Sequence, residues 1–157
     1  MDQGTGLEKI DIREGIVSTL IMLKHKIKQK QIKVVKNFNA NLSELNANPG
    51  ELNQIWTNLI VNAVDAMDQD GTLSIDAFTD REFVRVDIAD TGSGIPEDYL
   101  SRIFDPFFTT KAMGEGTGMG LDIVKKIVDR HKADIQVESQ PGKTVFKLCF
   151  PQNLSKH

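Results

Sequence analysis

Cysteine is nearly missing from the 157-residue chain, which carries only Cys149. No internal disulfide can form, and a reducing compartment suits such a chain. Cys149 lies in an apolar alternating run and reads as a packed core or sheet residue. Positive charge is not in excess either. The formal net charge is -3, which argues against a surface that holds nucleic acid electrostatically. No apolar run is long enough for a membrane helix, and the N-terminus lacks the pattern of a signal peptide. Repeats and low-complexity segments are absent as well. The length and the 39% hydrophobic content fit one domain with a real core.

A second shortage is local. The stretch from about Gly50 to Met67 has no Lys or Arg. Pro49 precedes it, as Pro does at a helix start. At helical spacing Leu52, Ile55, Trp56, Leu59, Ala63, Ala66 and Met67 share one apolar face. Glu51, Gln54, Asn58, Asn62 and Asp65 share the opposite one. An ordinary solvated face mixes Lys or Arg with Glu; this face uses Asn twice, one turn apart. An amide oxygen is a hard, neutral ligand suited to Mg²⁺ beside phosphates. Plain solvation is the competing reading.

The rest of the chain alternates helix and strand patterns. Met1 to Leu7 is polar and Gly-rich. Asp11 caps an expected helix running to about Lys30, with Ile16, Leu20, Leu23 and Ile27 in phase. Its lysines suit a helix C-terminus, and His25 among them reads as a solvated surface residue. Gln31 to Asn37 reads as a strand, and Asn41 to Asn48 as a loop. After the Asp70-Gly71 turn come two alternating strands, with Leu73, Ile75 and Ala77, then Val84, Val86 and Ile88, on their inner faces. Asp80-Arg81 marks the hairpin between them. Pro96-Glu97-Asp98 starts a short helix, and a longer one spans Leu121 to His131. Two last strands carry Ile135 and Val137, then Phe146, Leu148 and Phe150, around a Pro141-Gly142 turn. Gln152 to His157 is a polar tail.

Three further stretches carry chemistry. Asp90-Thr91-Gly92-Ser93-Gly94-Ile95 ends a strand with an acid and two spaced glycines. Glycine lets a backbone turn and approach a ligand closely, and the acid can accept from an exocyclic amine. Asp-x-Gly is also common turn chemistry. Phe104 to Lys111 packs three phenylalanines around Pro106, either as a core plug or as the anchor of a lid or docking surface. Gly114 to Leu121 alternates glycines into a helix start. There, free N–H groups and the helix dipole favour phosphate. It is neither a Walker loop nor a dinucleotide fingerprint.

In order and spacing these blocks resemble the catalytic ATP-binding domain of sensor histidine kinases, within the GHKL ATPase superfamily. Asn58 to Ala63 looks like the N box, Asp90 to Gly94 the G1 box, Phe104 to Lys111 the F box and Gly114 to Leu121 the G2 box. The resemblance covers about Glu8 to Pro151, with residues 1–7 and 152–157 expected to be flexible ends. It implies an α/β (α+β) two-layer sandwich, helices packed on one face of a mixed β-sheet: the Bergerat ATP-binding fold. It also implies ATP and Mg²⁺ as cofactors. Asn62 would be the metal ligand, with Asn58 beside it as the second catalytic-site amide. Asp90 would bind the adenine amine. Gly92 and Gly94 would let the backbone pass the base, Ala66 and Ile95 would pack its plane, and Thr144 would support it. Thr110, Lys111, Gly114 and Gly116 belong to the implied lid. Thr117, Gly118, Met119, Gly120 and Leu121 would wrap the phosphates. Asp65 stands beside the nucleotide where many members carry Lys. Lys132 and Ala133 replace a frequent Gly-Gly, a change expected to matter only for a turn.

The implied function is donation of the ATP γ-phosphate to a histidine on a separate dimerisation and phosphoacceptor domain, for relay to a response regulator. Neither His25, His131 nor His157 sits in the phosphoacceptor motif of the family. The chain is therefore expected to be either a catalytic piece of a longer, homodimeric kinase, soluble or membrane-anchored, or a kinase whose acceptor lies on another chain. The domain itself is expected to be cytoplasmic and monomeric, with little turnover alone. No nucleic acid or membrane contact is expected. One rival is a hydrolysing ATPase of the gyrase, MutL or chaperone type, which needs a Glu where Asn58 stands. The other is an anti-sigma-like ATP-binding module, against which the Phe-rich stretch argues.

Overall fold

The computed structural model describes residues 6–106 and 120–152. The elements follow in order: β1 (Glu8–Ile10), α1 (Ile12–Met22), α2 (Lys24–Gln29), β2 (Lys33–Phe38), β3 (Leu45–Ala47), α3 (Pro49–Ala66), β4 (Thr72–Asp80), β5 (Phe83–Asp90), α4 (Glu97–Leu100), α5 (Leu121–Arg130), β6 (Asp134–Gln140) and β7 (Lys143–Pro151). Five strands form one sheet in the order β2-β4-β5-β7-β6. The β2–β4 pair is parallel and the other three are antiparallel, so the sheet is mixed. The apolar residues of β4, β5 and β7 alternate, and their inner sets are buried against the helices. This is the expected two-layer sandwich.

The central helix α3 is specified at both ends. The Asn48 side chain accepts from Glu51 N at 3.0 Å, and Pro49 stands in the first turn. At the other end Lys30 Nζ donates to the Val64 and Met67 carbonyls, both at 2.9 Å. The Val64 carbonyl also accepts from the C-cap Met67 N at 3.2 Å. The ammonium adds a second donor at a helix end that is short of them and complements the dipole. Leu52, Ile55, Trp56, Leu59, Ile60 and Val64 are fully buried. Trp56 packs edge-on against Phe150 of β7, centroids 6.1 Å apart.

Two expectations need correction. The first helix does not run unbroken to Lys30. It stops at Met22, turns at Leu23 and resumes as α2. Thr19 Oγ1 donates to the Gly15 carbonyl at 2.9 Å, a bond that bends helices. The turn buries Ile27, leaves Ile21 and Met22 exposed, and sends Lys26 and Lys30 toward α3. The Asn41–Asn48 segment is not all loop, because Leu45–Ala47 pairs antiparallel with Glu8–Ile10. The Lys132 substitution does sit in a turn: its φ is 54°, the left-handed region that glycine adopts more easily. His25 is exposed, as expected.

Candidate functional site

The end of β5 meets the last turn of α3 and the β6–β7 hairpin. Leu73, Asp90, Thr144 and Ser139 form one cross-strand row. Residues in one row point to one face, here the helix side. Asp90 and Thr144 are each 4% exposed, the two most buried polar groups of the sheet. The Asp90 carboxylate accepts from Gly92 N at 2.8 Å. Burial pushes its pKa up to about 6, and the Gly92 bond only partly opposes this. A carboxyl so poised is a strong acceptor for any ligand donor that replaces the missing water.

The glycines of this corner are steric necessities. A Cβ at Gly92 would lie 2.4 Å from the Ala66 carbonyl oxygen, and one at Gly94 2.6 Å from that of Gln140. Gly94 also holds φ at 87°. The loop is bonded on both sides. Ser93 N donates to the Ala66 carbonyl at 3.3 Å, and Gly142 N donates to that of Gly92 at 3.0 Å. Ile95 packs against the core edge. Its N–H donates to Ser139 Oγ at 2.7 Å. Ser139 was not among the expected site residues. The signal was available, since a two-residue turn at Pro141-Gly142 sets Ser139 opposite Thr144.

The other end of the site lies along α3. Asn62 Nδ2 donates to the Asn58 carbonyl at 2.8 Å, so the amide is oriented and its Oδ1 remains the acceptor. Asn58 is committed differently. Its Nδ2 donates to the Gly120 carbonyl at 2.9 Å, and its Oδ1 accepts from Gln54 Nε2 at 2.9 Å. Asn58 thus pins the start of α5 to α3. Gly120, at φ 105°, is the residue before that helix, and Leu121 is buried behind it. From Asn58 to Ala66 the helix rises about 12 Å, the scale of a nucleoside triphosphate.

Asp65 is held by Lys26, Nζ to Oδ1 2.8 Å, with the carboxylate side chain 11% exposed. A helical side chain leans over the preceding turn, which places this ion pair beside the turn of Asn62. Sequence pattern could not supply Lys26, because the break at Leu23 sets its direction. His131, buried at the end of α5, accepts from Asn48 N at Nε2, 3.2 Å, and its Nδ1–H donates to the Ile127 carbonyl at 2.9 Å. Phe104 packs edge-on against Phe146, centroids 6.5 Å apart. Phe107 and Phe108, and the expected site residues Thr110, Lys111, Gly114, Gly116, Thr117, Gly118 and Met119, lie outside the described residues.

Among the described residues no group of three or more His, Cys, Asp or Glu is placed to hold a metal. A single amide oxygen, that of Asn62, fits a hard cation whose other ligands are phosphate oxygens and water. No described helix is long and apolar enough to cross a membrane.

Comparison with known proteins agrees with this geometry. Residues 47–154 match the family described as histidine kinase-, DNA gyrase B-, and HSP90-like ATPase. Over 151 residues, 96% of this chain, the sequence is 38% identical to the sensor histidine kinase ZraS of Escherichia coli K12, and it spans 32% of that protein's length. The fold superposes on the catalytic domain of histidine kinase ThkA with a TM-score of 0.85 at 31% identity, covering 93% of this chain and 95% of that one. It also superposes on histidine kinase ThkA solved in complex with the response regulator protein TrrA. That match has a TM-score of 0.81 at 25% identity, over 96% of this chain and 43% of that one.

Proposed function

The chain belongs to the histidine kinase-, DNA gyrase B-, and HSP90-like ATPase family and has the fold of histidine kinase catalytic domains; from this premise we propose that it binds ATP·Mg²⁺ and delivers the γ-phosphate to a histidine on a separate dimerisation and phosphoacceptor domain, for relay to a response regulator. The observation that carries the reading is the buried Asp90 carboxylate, whose loop is bonded to Ala66 at the end of the amide-bearing helix α3.

In this reading Asp90 accepts from the adenine amine. Guanine is disfavoured because its carbonyl would face the carboxylate. Gly92 and Gly94 let the backbone pass the base, Ala66 and Ile95 flank its plane, and Thr144 supports its edge. Asn62 Oδ1 would hold the Mg²⁺, which neutralises phosphate charge when bound. The start of α5 at Gly120 and Leu121, fixed by Asn58, offers helix N–H groups to the phosphates. Thr110, Lys111, Gly114, Gly116, Thr117, Gly118 and Met119 would complete the phosphate side. Asp65, neutralised by Lys26, borders the phosphates without repelling them.

Phosphoryl transfer of this kind needs position and charge neutralisation more than covalent chemistry from the protein. Water activation needs a base. Asn58 is an amide already bonded to Gln54 and Gly120, so the site favours transfer over hydrolysis. The proposed complete kinase supplies the acceptor imidazole, and the chain alone turns over little ATP.

Calorimetric titration with ATP and Mg²⁺ tests the assignment. Asp90→Asn is expected to weaken ATP and adenosine alike, about 100-fold, as for a lost charged hydrogen bond. Asn62→Ala is expected to weaken only the Mg²⁺-dependent part. Unchanged affinity in Asp90→Asn removes the adenine assignment.

A further inference from the structure

Ser139, on the β6–β7 hairpin, bonds to both walls of the proposed purine corner. Its Oγ accepts from Ile95 N–H at 2.7 Å and lies 2.6 Å from Thr144 Oγ1. A hydroxyl has one proton and two lone pairs. Ile95 takes one lone pair, and the bond to Thr144 takes the proton or the other lone pair. A single oxygen therefore ties the loop wall, at Ile95, to the sheet wall, at Thr144. Thr144 in turn stands directly across from Asp90 in the strand register. Main-chain contacts also tie this hairpin to this loop: Gly142 N to the Gly92 carbonyl at 3.0 Å, and the close pass of Gly94 under Gln140. Those contacts dock the hairpin. Among the described residues, the Ser139 hydroxyl is the group hydrogen-bonded to both Ile95 and Thr144.

We propose that Ser139 is a positioning residue of the nucleotide site, holding Ile95 and Thr144 at the separation that admits the base edge without touching the base itself. The inference rests on the reading of Asp90 as the purine anchor. It predicts where in the ligand the loss falls. A residue that shapes the base slot costs adenosine, ADP and ATP the same factor. A residue on the phosphate side costs them unequally.

The test uses the whole chain and calorimetric titration of adenosine, ADP and ATP, with thermal melting of each ligand-free variant. Ser139→Ala is expected to weaken all three ligands by about fivefold, the loss of one partly buried hydrogen bond. Ser139→Thr, which keeps the hydroxyl, is expected to restore affinity to within about twofold on the same scale. Ser139→Val has the shape of the Thr variant without its hydroxyl, and it is expected to behave as Ser139→Ala. This pair isolates the hydroxyl even where the Ala variant folds poorly. Lowered melting with unchanged affinity, or equal affinities for the Val and Thr variants, overturns the proposal. So does a loss confined to ATP. Asp90→Asn, run alongside, separates the two claims. If it loses affinity while Ser139→Val does not, only the Ser139 assignment falls; if it keeps affinity, the purine anchor itself falls.

Discussion

Asn58 and Gly120 hold each other across two helices. The Asn58 amide donates to the Gly120 carbonyl at 2.9 Å, and a Cβ at Gly120 would stand 2.8 Å from that same nitrogen. The glycine also sits at φ 105°. Gly120→Ala therefore combines a left-handed backbone penalty with a displaced amide, about 2 kcal/mol in all. Asn58→Ala removes the obstacle but not the strain. In urea unfolding the double variant is expected to lose less than the two single losses added together, with a coupling of at least about 0.5 kcal/mol. Simple additivity would mean that the contact is incidental.

Asp90 is predicted to be a stability liability in the free chain. Its folded pKa, about 6, lies above the ordinary 3.8. The folded state thus binds more protons than the unfolded one between those values. The penalty is absent below about pH 4, grows as pH rises through 6, and is complete above it. Asp90→Asn is expected to raise the stability of the ligand-free chain at pH 7 by about 1–2 kcal/mol. At pH 4 the wild type and the variant should converge. Chemical denaturation at both pH values measures this.

The same titration has the opposite sense for binding. In the proposed site it is the ionised carboxylate that would accept from the adenine amine, so affinity should fall as pH drops below about 6. Adenosine is the suitable probe, because phosphate groups titrate in the same window. Affinity is expected to drop by up to about tenfold per pH unit. A flat profile from pH 7 to pH 5 would exclude an ionised Asp90 as the acceptor.

Lys26 is predicted to matter for triphosphate more than for base. Lys26→Met leaves the Asp65 carboxylate without the ammonium at 2.8 Å. ATP affinity is expected to fall about threefold to tenfold at low salt, with adenosine unmoved. Adding Asp65→Asn should return most of the loss. Equal losses for ATP and adenosine would place the ion pair away from the phosphates.

His131 ties the end of α5 to the start of α3 through Asn48 N. His131→Leu leaves that N–H without the imidazole acceptor. The expected cost is about 2 kcal/mol, read as a shifted urea midpoint with an unchanged slope. Adenosine affinity of the folded protein should not move.

Much of this molecule is legible in its sequence because its signals are local. Alternation in β4, β5 and β7 marks the buried faces, and Pro49 with the amide face marks α3. Asp90 is visible as an acid between a strand and two spaced glycines. What escaped depends on direction rather than pattern. The turn at Leu23 keeps the helical phase of Ile16, Leu20 and Ile27, so periodicity alone reads one helix. Strands β1 and β3 are too short to show a period of two. The two asparagines look equivalent one turn apart. Only tertiary contact shows that Asn58 is bonded to Gly120 while Asn62 keeps an oxygen to offer.

If Asp90 anchors the purine as proposed, the Leu73–Asp90–Thr144–Ser139 row would make binding a check on assembly. Strand side chains alternate faces, so slipping β7 by one position against β5 would turn Thr144 outward and break the corner. The hydroxyls come from the last two strands and the carboxylate from β5. Nascent chains lacking that final hairpin should therefore ignore nucleotide, and purine capture should appear only when the sheet closes in the right alignment.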